Sequence, residues 1–240
     1  MLQFLVCSDI HTYADNIRLA IRKTGRVDAV LIAGDLETEE EAVLAAVGSI
    51  PCHMVRGNND YYLNTDYPEE LLIDICENAG PGQDGPAIGC VTELSYDSVP
   101  DTGSGQVPRK ESFLSFFFRF FSPEKEELPR GLSFPQHTFK RPANIMHRIL
   151  MTHGKEYNVP DITLLARRAG IWDADLVIFG HTHQFWDTTF RRGQIRLVNP
   201  GCLVGDPKAS IRVFGNYEIC SYALLRISDQ GEIDVEHIYL

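Results

Sequence analysis

The sequence predicts an α/β fold. Strand-like and helix-like segments alternate along its first third. Several strands are apolar throughout, as expected when both faces of a parallel sheet are covered. The polar residues capable of chemistry fall just past the carboxyl ends of those strands. A length of 240 residues suits one large domain or two small ones. Hydrophobic residues at 44% and charged residues at 23% are ordinary for a globule and exclude wholesale disorder.

The first strand is expected at Leu2–Cys7, which ends in Ser8-Asp9. A helix over Ala14–Thr24 carries Ile17, Ala20 and Ile21 on one face, with Gly25 as its terminal cap. Strands over 29–33 and 52–55 follow. Between them Thr38-Glu39-Glu40-Glu41 reads as a capping box for the helix with Val43, Leu44 and Val47. Residues 68–78 read as a further helix. Residues 80–109, rich in Gly, Pro, Asp and Ser, read as loop. Strands return at 148–152 and 175–179, flanking a helix over 161–169 closed by Gly170. The tail has strand-like runs at 195–198, 211–214, 219–227 and Ile233–Tyr239, which suggests a second, largely antiparallel sheet.

Five strands end in clusters of metal-capable side chains: Asp9-x-His11, Gly34-Asp35, Gly57-Asn58-Asn59-Asp60, His153-Gly154 and Gly180-His181-x-His183. In an open α/β sheet the carboxyl ends of the strands form one site, so distant clusters converge. Asp9 with His11, and His181 with His183, stand at i and i+2, which in extended backbone aims both side chains the same way. The donors are Asp9, His11, Asp35, Asn58, His153, His181 and His183. They are too many for one ion and suit two if a carboxylate bridges. A mixed oxygen and nitrogen set without thiolate favours manganese, iron, nickel, cobalt or zinc over calcium. The six cysteines include no Cys-x-x-Cys pair, which argues against structural zinc and suits a reduced, cytoplasmic protein.

These five blocks, in this order, resemble the motifs of the calcineurin-like metallophosphoesterases. The spacing of the first three most resembles the small, single-domain phosphodiesterase branch. Asn199-Pro200-Gly201 is similar to a loop of that branch. The resemblance spans about residues 4–78 and 148–227. It implies a four-layer α-β-β-α sandwich of two mixed sheets with a dinuclear metal site. One metal would take Asp9, His11, Asp35 and His183. The other would take Asp35, Asn58, His153 and His181, with Asp35 bridging. Asp9, Asp35, Asn58, Asn59 and His153 would be the catalytic set. Manganese is the first expectation, ahead of nickel, iron, zinc and cobalt. The implied activity is hydrolysis of a small phosphate ester, most naturally a diester, by a metal-bridging hydroxide.

Charge sharpens this expectation. Lys plus Arg number 22 and Asp plus Glu 33, for a net charge of −11. An acidic surface disfavours general nucleic-acid binding. Two dications against two carboxylates would still leave the centre at a formal +2, enough for a phosphate. Asn59 stands where many protein phosphatases of the family have His. An amide donates hydrogen bonds but delivers no proton at neutral pH, so good leaving groups are favoured. Lys155 is a candidate phosphate contact, with a solvated surface lysine as the alternative. Asp60 is a candidate support behind the ligands.

Residues 81–147 read as an insertion into one domain. Within it, 112–121 hold six of the 13 Phe residues, a wide apolar face suited to core packing, a lid or an oligomer contact. No apolar run is long enough to span a bilayer. Two other functions remain open: a non-catalytic scaffold of the same fold, and a nuclease using Arg191-Arg192.

Overall fold

The computed structural model describes residues 1–62, 66–77, 85–98, 139–190, 193–206, 211–213 and 216–240. Two mixed sheets pack face to face. The first runs β1 (Leu2–Cys7), β2 (Ala29–Ile32) and β3 (Cys52–Met54) in parallel. It is extended past β1 by antiparallel β12 (Ser221–Ile227) and β13 (Ile233–Tyr239). The second has the order β5 (Ala87–Leu94), β4 (Glu70–Cys76), β6 (Ile145–Thr152), β7 (Leu176–Ile178), β9 (Ile195–Pro200) and β8 (Phe185–Phe190). Here β6, β7 and β9 are parallel and the other pairings antiparallel. A separate pair, β10 (Ile211–Val213) and β11 (Asn216–Glu218), stands apart.

Alternation along the strands builds the four layers. Phe4 and Val6 of β1 enter the core between the sheets, with Leu31, Ile73, Ile149, Met151 and Ile178. Leu5 and Cys7 point the other way, under α1 (Ala14–Thr24) and α2 (Glu40–Val47). Leu72, Leu150 and Val177 pack beneath α3 (Thr163–Ile171). The order is therefore helix, sheet, sheet, helix, as the resemblance implies.

Several elements differ from expectation. Residues 70–76 form strand β4 rather than a helix. The strand is paired on both edges and apolar toward both faces, a pattern whose periodicity does not separate helix from strand. Strand β5 lies inside the segment expected to be loop. The capping box does not form: α2 begins at Glu40 with Glu39 at its cap and no side-chain cap bond. Glu40 and Glu41 instead place negative charge in the first turn, where the helix dipole favours it. Gly25 does terminate α1, at φ 82°, whereas Gly170 lies inside α3 and Trp172 is the cap.

The tail does not form one second sheet: β10 and β11 pair with each other, and the other strands join the two main sheets. β9 joins the second sheet beside β7, and β12 and β13 join the first. Edge strand β8, whose apolar positions alternate only weakly, went unrecognised in the sequence. Of residues 81–147, 87–94 and 145–147 belong to the second sheet. The Phe-rich 112–121 and Arg191-Arg192 lie outside the described residues.

Buried Arg168 of α3 fixes the end of the second sheet nearest the candidate site. Its Nε and one terminal nitrogen meet a Glu70 carboxylate oxygen at 3.0 and 2.6 Å, and it donates to the Ser95 and Ser98 carbonyls. Tyr157 donates to the other Glu70 oxygen. Burying such a pair costs desolvation that only full hydrogen bonding offsets, and here Glu70 is bonded through both oxygens.

Candidate metal centre

The five polar clusters meet where β1, β2, β3, β6 and β7 end. Two donor groups form there: Asp9, His11 and His183, and Asp9, Asp35 and His153. Within each, the candidate ligand atoms lie within 4.8 Å of one another. His183 Nε2 is 3.2 Å from Asp9 Oδ1 and 3.2 Å from His11 Nε2. On the other side, His153 Nε2 is 3.4 Å from Asp35 Oδ2 and 3.1 Å from Asn58 Oδ1. The His181 ring packs edge-on against that of His153, 5.2 Å between centroids. All seven predicted donors are thus gathered, in two halves. Asp9 is common to both groups, while the resemblance gives the bridge to Asp35.

The backbone achieves this by turning left-handed. Asp9, His11, Asp35, His181 and His183 have φ of 52°, 40°, 52°, 70° and 57°. Extended backbone therefore does not align the i, i+2 pairs, contrary to expectation. Each non-glycine residue there costs of order 1–3 kcal/mol, so neighbouring bonds must hold it. They are present: Asp9 N donates to Gly34 O (2.9 Å), His11 N to Asp35 O (3.1 Å) and His181 N to Asp9 Oδ2 (3.0 Å). The loops also approach closely. A Cβ on Gly57 would lie 2.1 Å from both Asp35 N and Asp35 Oδ1, so only glycine fits.

The donor set fits divalent cations. Asp9 is fully buried, yet its Oδ1 accepts no hydrogen bond while facing the Nε2 atoms of His183, His11 (4.0 Å) and His153 (4.0 Å). His153 Nδ1 lies 2.8 Å from Ala33 O, the geometry of a donated bond that leaves Nε2 to ligate. Burial opposes charge on His153, but the bond to Asp35 and the charges of Asp9 and Asp35 win, raising its pKa to about 9. Burial likewise works against ionised Asp9 and Asp35. Their histidine neighbours overcome it and lower both carboxyls. The carboxylates that favour a proton on His153 would equally favour a cation, and a metal held there would displace that proton.

Asn59 sits beside Asp35 rather than apart from it: its N–H donates to Oδ1 (2.8 Å) and its Nδ2 to Oδ2 (3.0 Å). Asp60, fully buried, accepts from the N–H groups of Leu36 and Glu37 (2.8 Å each) and Gly57 (2.7 Å). It clamps the loop carrying Asp35 to the loop carrying Asn58. Lys155 is exposed at the start of the short turn Lys155–Tyr157. Burial first, then the charges of His153 and Lys155, lower the pKa of His181.

Two supporting residues, Glu37 and Ser8, escaped the sequence reading, and a third, Asn199, entered it only within a resembling loop. Glu37 Oε1 is 3.0 Å from His11 Nδ1, a carboxylate orienting a donor imidazole. Ser8 donates to Asp9 Oδ2, and Asn199 Nδ2 holds Gly180 O (2.7 Å) and Thr182 Oγ1 (3.0 Å) around the His181 loop. Position alone hinted at them: Ser8 precedes Asp9 and Glu37 follows Asp35 by two.

The two-sheet sandwich with Asp, His and Asn donors gathered at its strand ends is an α/β protein with a candidate metal site. The chain belongs to the calcineurin-like phosphoesterase family, whose model matches residues 2–185. Among solved structures, it is similar to a predicted phosphoesterase from Streptococcus pneumoniae TIGR4. Identity there is 18%, with 100% of this chain and 98% of that one covered and a TM-score of 0.51. Vps29 from Chaetomium thermophilum is similar at 14% identity, with coverage of 100% and 98% and a TM-score of 0.52. A single mutant of Vps29 from Entamoeba histolytica follows at 15% identity, with coverage of 100% and 99% and a TM-score of 0.50. At these identities the likeness is one of fold. A search of curated proteins finds no match.

Proposed function

We propose that the protein is a dinuclear metal-dependent phosphodiesterase acting on a small phosphate ester with a good leaving group. The carrying observation is the convergence of the His11, His153 and His183 Nε2 atoms on an Asp9 oxygen that has no hydrogen bond, with Asp35 in the same donor cluster. Asp9, His11 and His183 would hold one ion. Asn58, His153 and His181 would hold the other, with Asp35 and Asp9 between them. Bound divalent ions would supply charge neutralisation at the phosphate and a nucleophile at neutral pH. The oxygen and nitrogen donors suit manganese first, with nickel, iron, zinc and cobalt also matching.

The chain's own residues hold this arrangement. Ala33 O fixes the His153 tautomer, and Glu37 orients His11. Asn59 gives its backbone N–H and an Nδ2 hydrogen to Asp35, and an amide delivers no proton to a departing alkoxide at neutral pH. Lys155, exposed two residues past His153, would meet a phosphate oxygen. A scaffold of this fold needs no such donor set; its completeness favours catalysis. We place the enzyme in the cytoplasm. Among the described residues no helix is long and apolar enough to cross a membrane.

The test is a paired assay. Bis-aryl phosphate and aryl monoester hydrolysis are compared with manganese, nickel, zinc or EDTA. Metal-dependent turnover favouring the diester supports the reading. Turnover of neither ester with any metal leaves the scaffold.

A further inference from the structure

The loop that carries Asn58 and Asn59 continues into the turn Asp60–Tyr62, and Tyr61 stands at its middle. Asp60 pins that turn through three backbone N–H groups. Tyr61 therefore lies within about 7 Å of Asn59 along the chain, at roughly 3.5 Å per residue. Arg56, which faces the ring, is linked through Glu69 and Tyr96 to Glu156, two residues past Gly154. The ring thus belongs to a connected patch that reaches the loop carrying His153.

One side of the ring is already taken. The Arg56 guanidinium carbon lies 4.1 Å from its centroid, and Arg56 is tied to Glu69 at 2.5 Å. Glu69 is itself fixed, its other oxygen accepting the Tyr96 N–H at 2.7 Å. The ring is thus backed by a positioned cation. Even so, Tyr61 remains 51% exposed. We propose that the open face of Tyr61 is a subsite for a planar, uncharged ester group, a nucleobase or an aryl ring, on the phosphate substrate. This rests on the phosphodiesterase reading and names its substrate class.

Charge selects among ligands for that face. Burial and the carboxylates of Glu156 and Glu69 raise the phenol's pKa against the pull of Arg56. The guanidinium beside the ring is already paired with Glu69, which weakens its attraction for a second phosphate or a polynucleotide backbone. A neutral flat ring meets no such penalty and gains stacking.

The test is calorimetric binding to the manganese-loaded full chain. Methylphosphonate, phenylphosphonate and thymidine 5′-monophosphate are compared on wild type, Tyr61→Ala, Tyr61→Phe and, as a neighbour control, Tyr62→Ala. Stacking of one base on an aromatic side chain corresponds to about 5–150-fold in affinity. The proposal expects wild type to prefer one or both aromatic ligands over methylphosphonate by that order. Whichever is preferred identifies the source of the ring. Tyr61→Ala should erase the preference, while Tyr61→Phe and Tyr62→Ala keep it. A preference absent from wild type, or one surviving Tyr61→Ala, overturns the subsite alone. If none of the three ligands binds the loaded protein, the phosphodiesterase reading falls and takes the subsite with it.

Discussion

Asp60 offers the sharpest stability test, because its carboxylate does a countable job. Two backbone N–H groups, of Leu36 and Glu37, bond one oxygen, and the Gly57 N–H bonds the other. Asp60→Ala orphans all three. Each buried unpaired donor costs about 1–3 kcal/mol, and partial relaxation makes a total of roughly 3–5 kcal/mol reasonable. At about 2–4 °C per kcal/mol for a chain of this size, melting should fall by roughly 6–20 °C. Asp60→Asn keeps the two bonds to Oδ1 but turns an amide N–H₂ toward the Gly57 N–H. It should cost about 1–3 kcal/mol, hence roughly 2–12 °C. The assay is thermal unfolding of both variants without metal, followed by manganese titration at a temperature where both are folded. Metal affinity should fall too, because Asp35 and Asn58 ride on the loops Asp60 joins. Unchanged melting in Asp60→Ala would refute the clamp. Normal melting order with unchanged metal affinity would refute its link to the ligands.

Other outcomes follow from the same geometry. Glu37→Gln should weaken metal binding about 10–100-fold, as losses behind a ligand do, read by competition with a chelator; equal affinity would remove Glu37 from the site. The His147–Asp175 pair, 2.9 Å apart, gives a pH dependence remote from the metals. Burial disfavours charged His147, but the bond to Asp175 overcomes this and raises its pKa; Asp175, also against burial, is lowered by His147 and Arg141. The stability contributed by His147 is complete below its unfolded pKa of about 6.5 and is lost as pH rises through the higher folded value. That from Asp175 is present above about 3.9 and is lost as pH falls through its lowered folded value. Denaturant unfolding of wild type and His147→Gln should therefore differ more at about pH 5.5 than at about pH 9, on either side of about 6.5. Asn59→His should raise turnover on esters with poor leaving groups relative to good ones, by supplying a proton donor; an unaltered ratio would deny that position any part in leaving-group departure.

The parallel strands were legible because each is an apolar run that stops abruptly at a polar cluster. That punctuation marks both the sheet and the site: Cys7 to Asp9, Ala33 to Asp35, Thr152 to His153. Strand β4 was not legible as a strand, since Leu71, Leu72, Ile73 and Ile75 are buried toward both faces and mimic a core helix. The destination of the tail was hidden for another reason. Which sheet receives β9 or β12 depends on edges left open by distant strands, not on the strand itself. Donor identities could be read from residue type and order. Their left-handed backbone could not, because Asp and His do not announce positive φ as glycine does. The role of Glu37 could not be read, because its partner, His11, belongs to another loop.

The central claim is that this one site holds two divalent ions. Titrating manganese into the metal-depleted full chain, with electron paramagnetic resonance as readout, tests it most directly. The account predicts two equivalents bound per chain, with the signal of a spin-coupled pair. Removing His183 should abolish the coupling and leave one ion. A single uncoupled ion at saturation in the unmodified protein, or none, would contradict it.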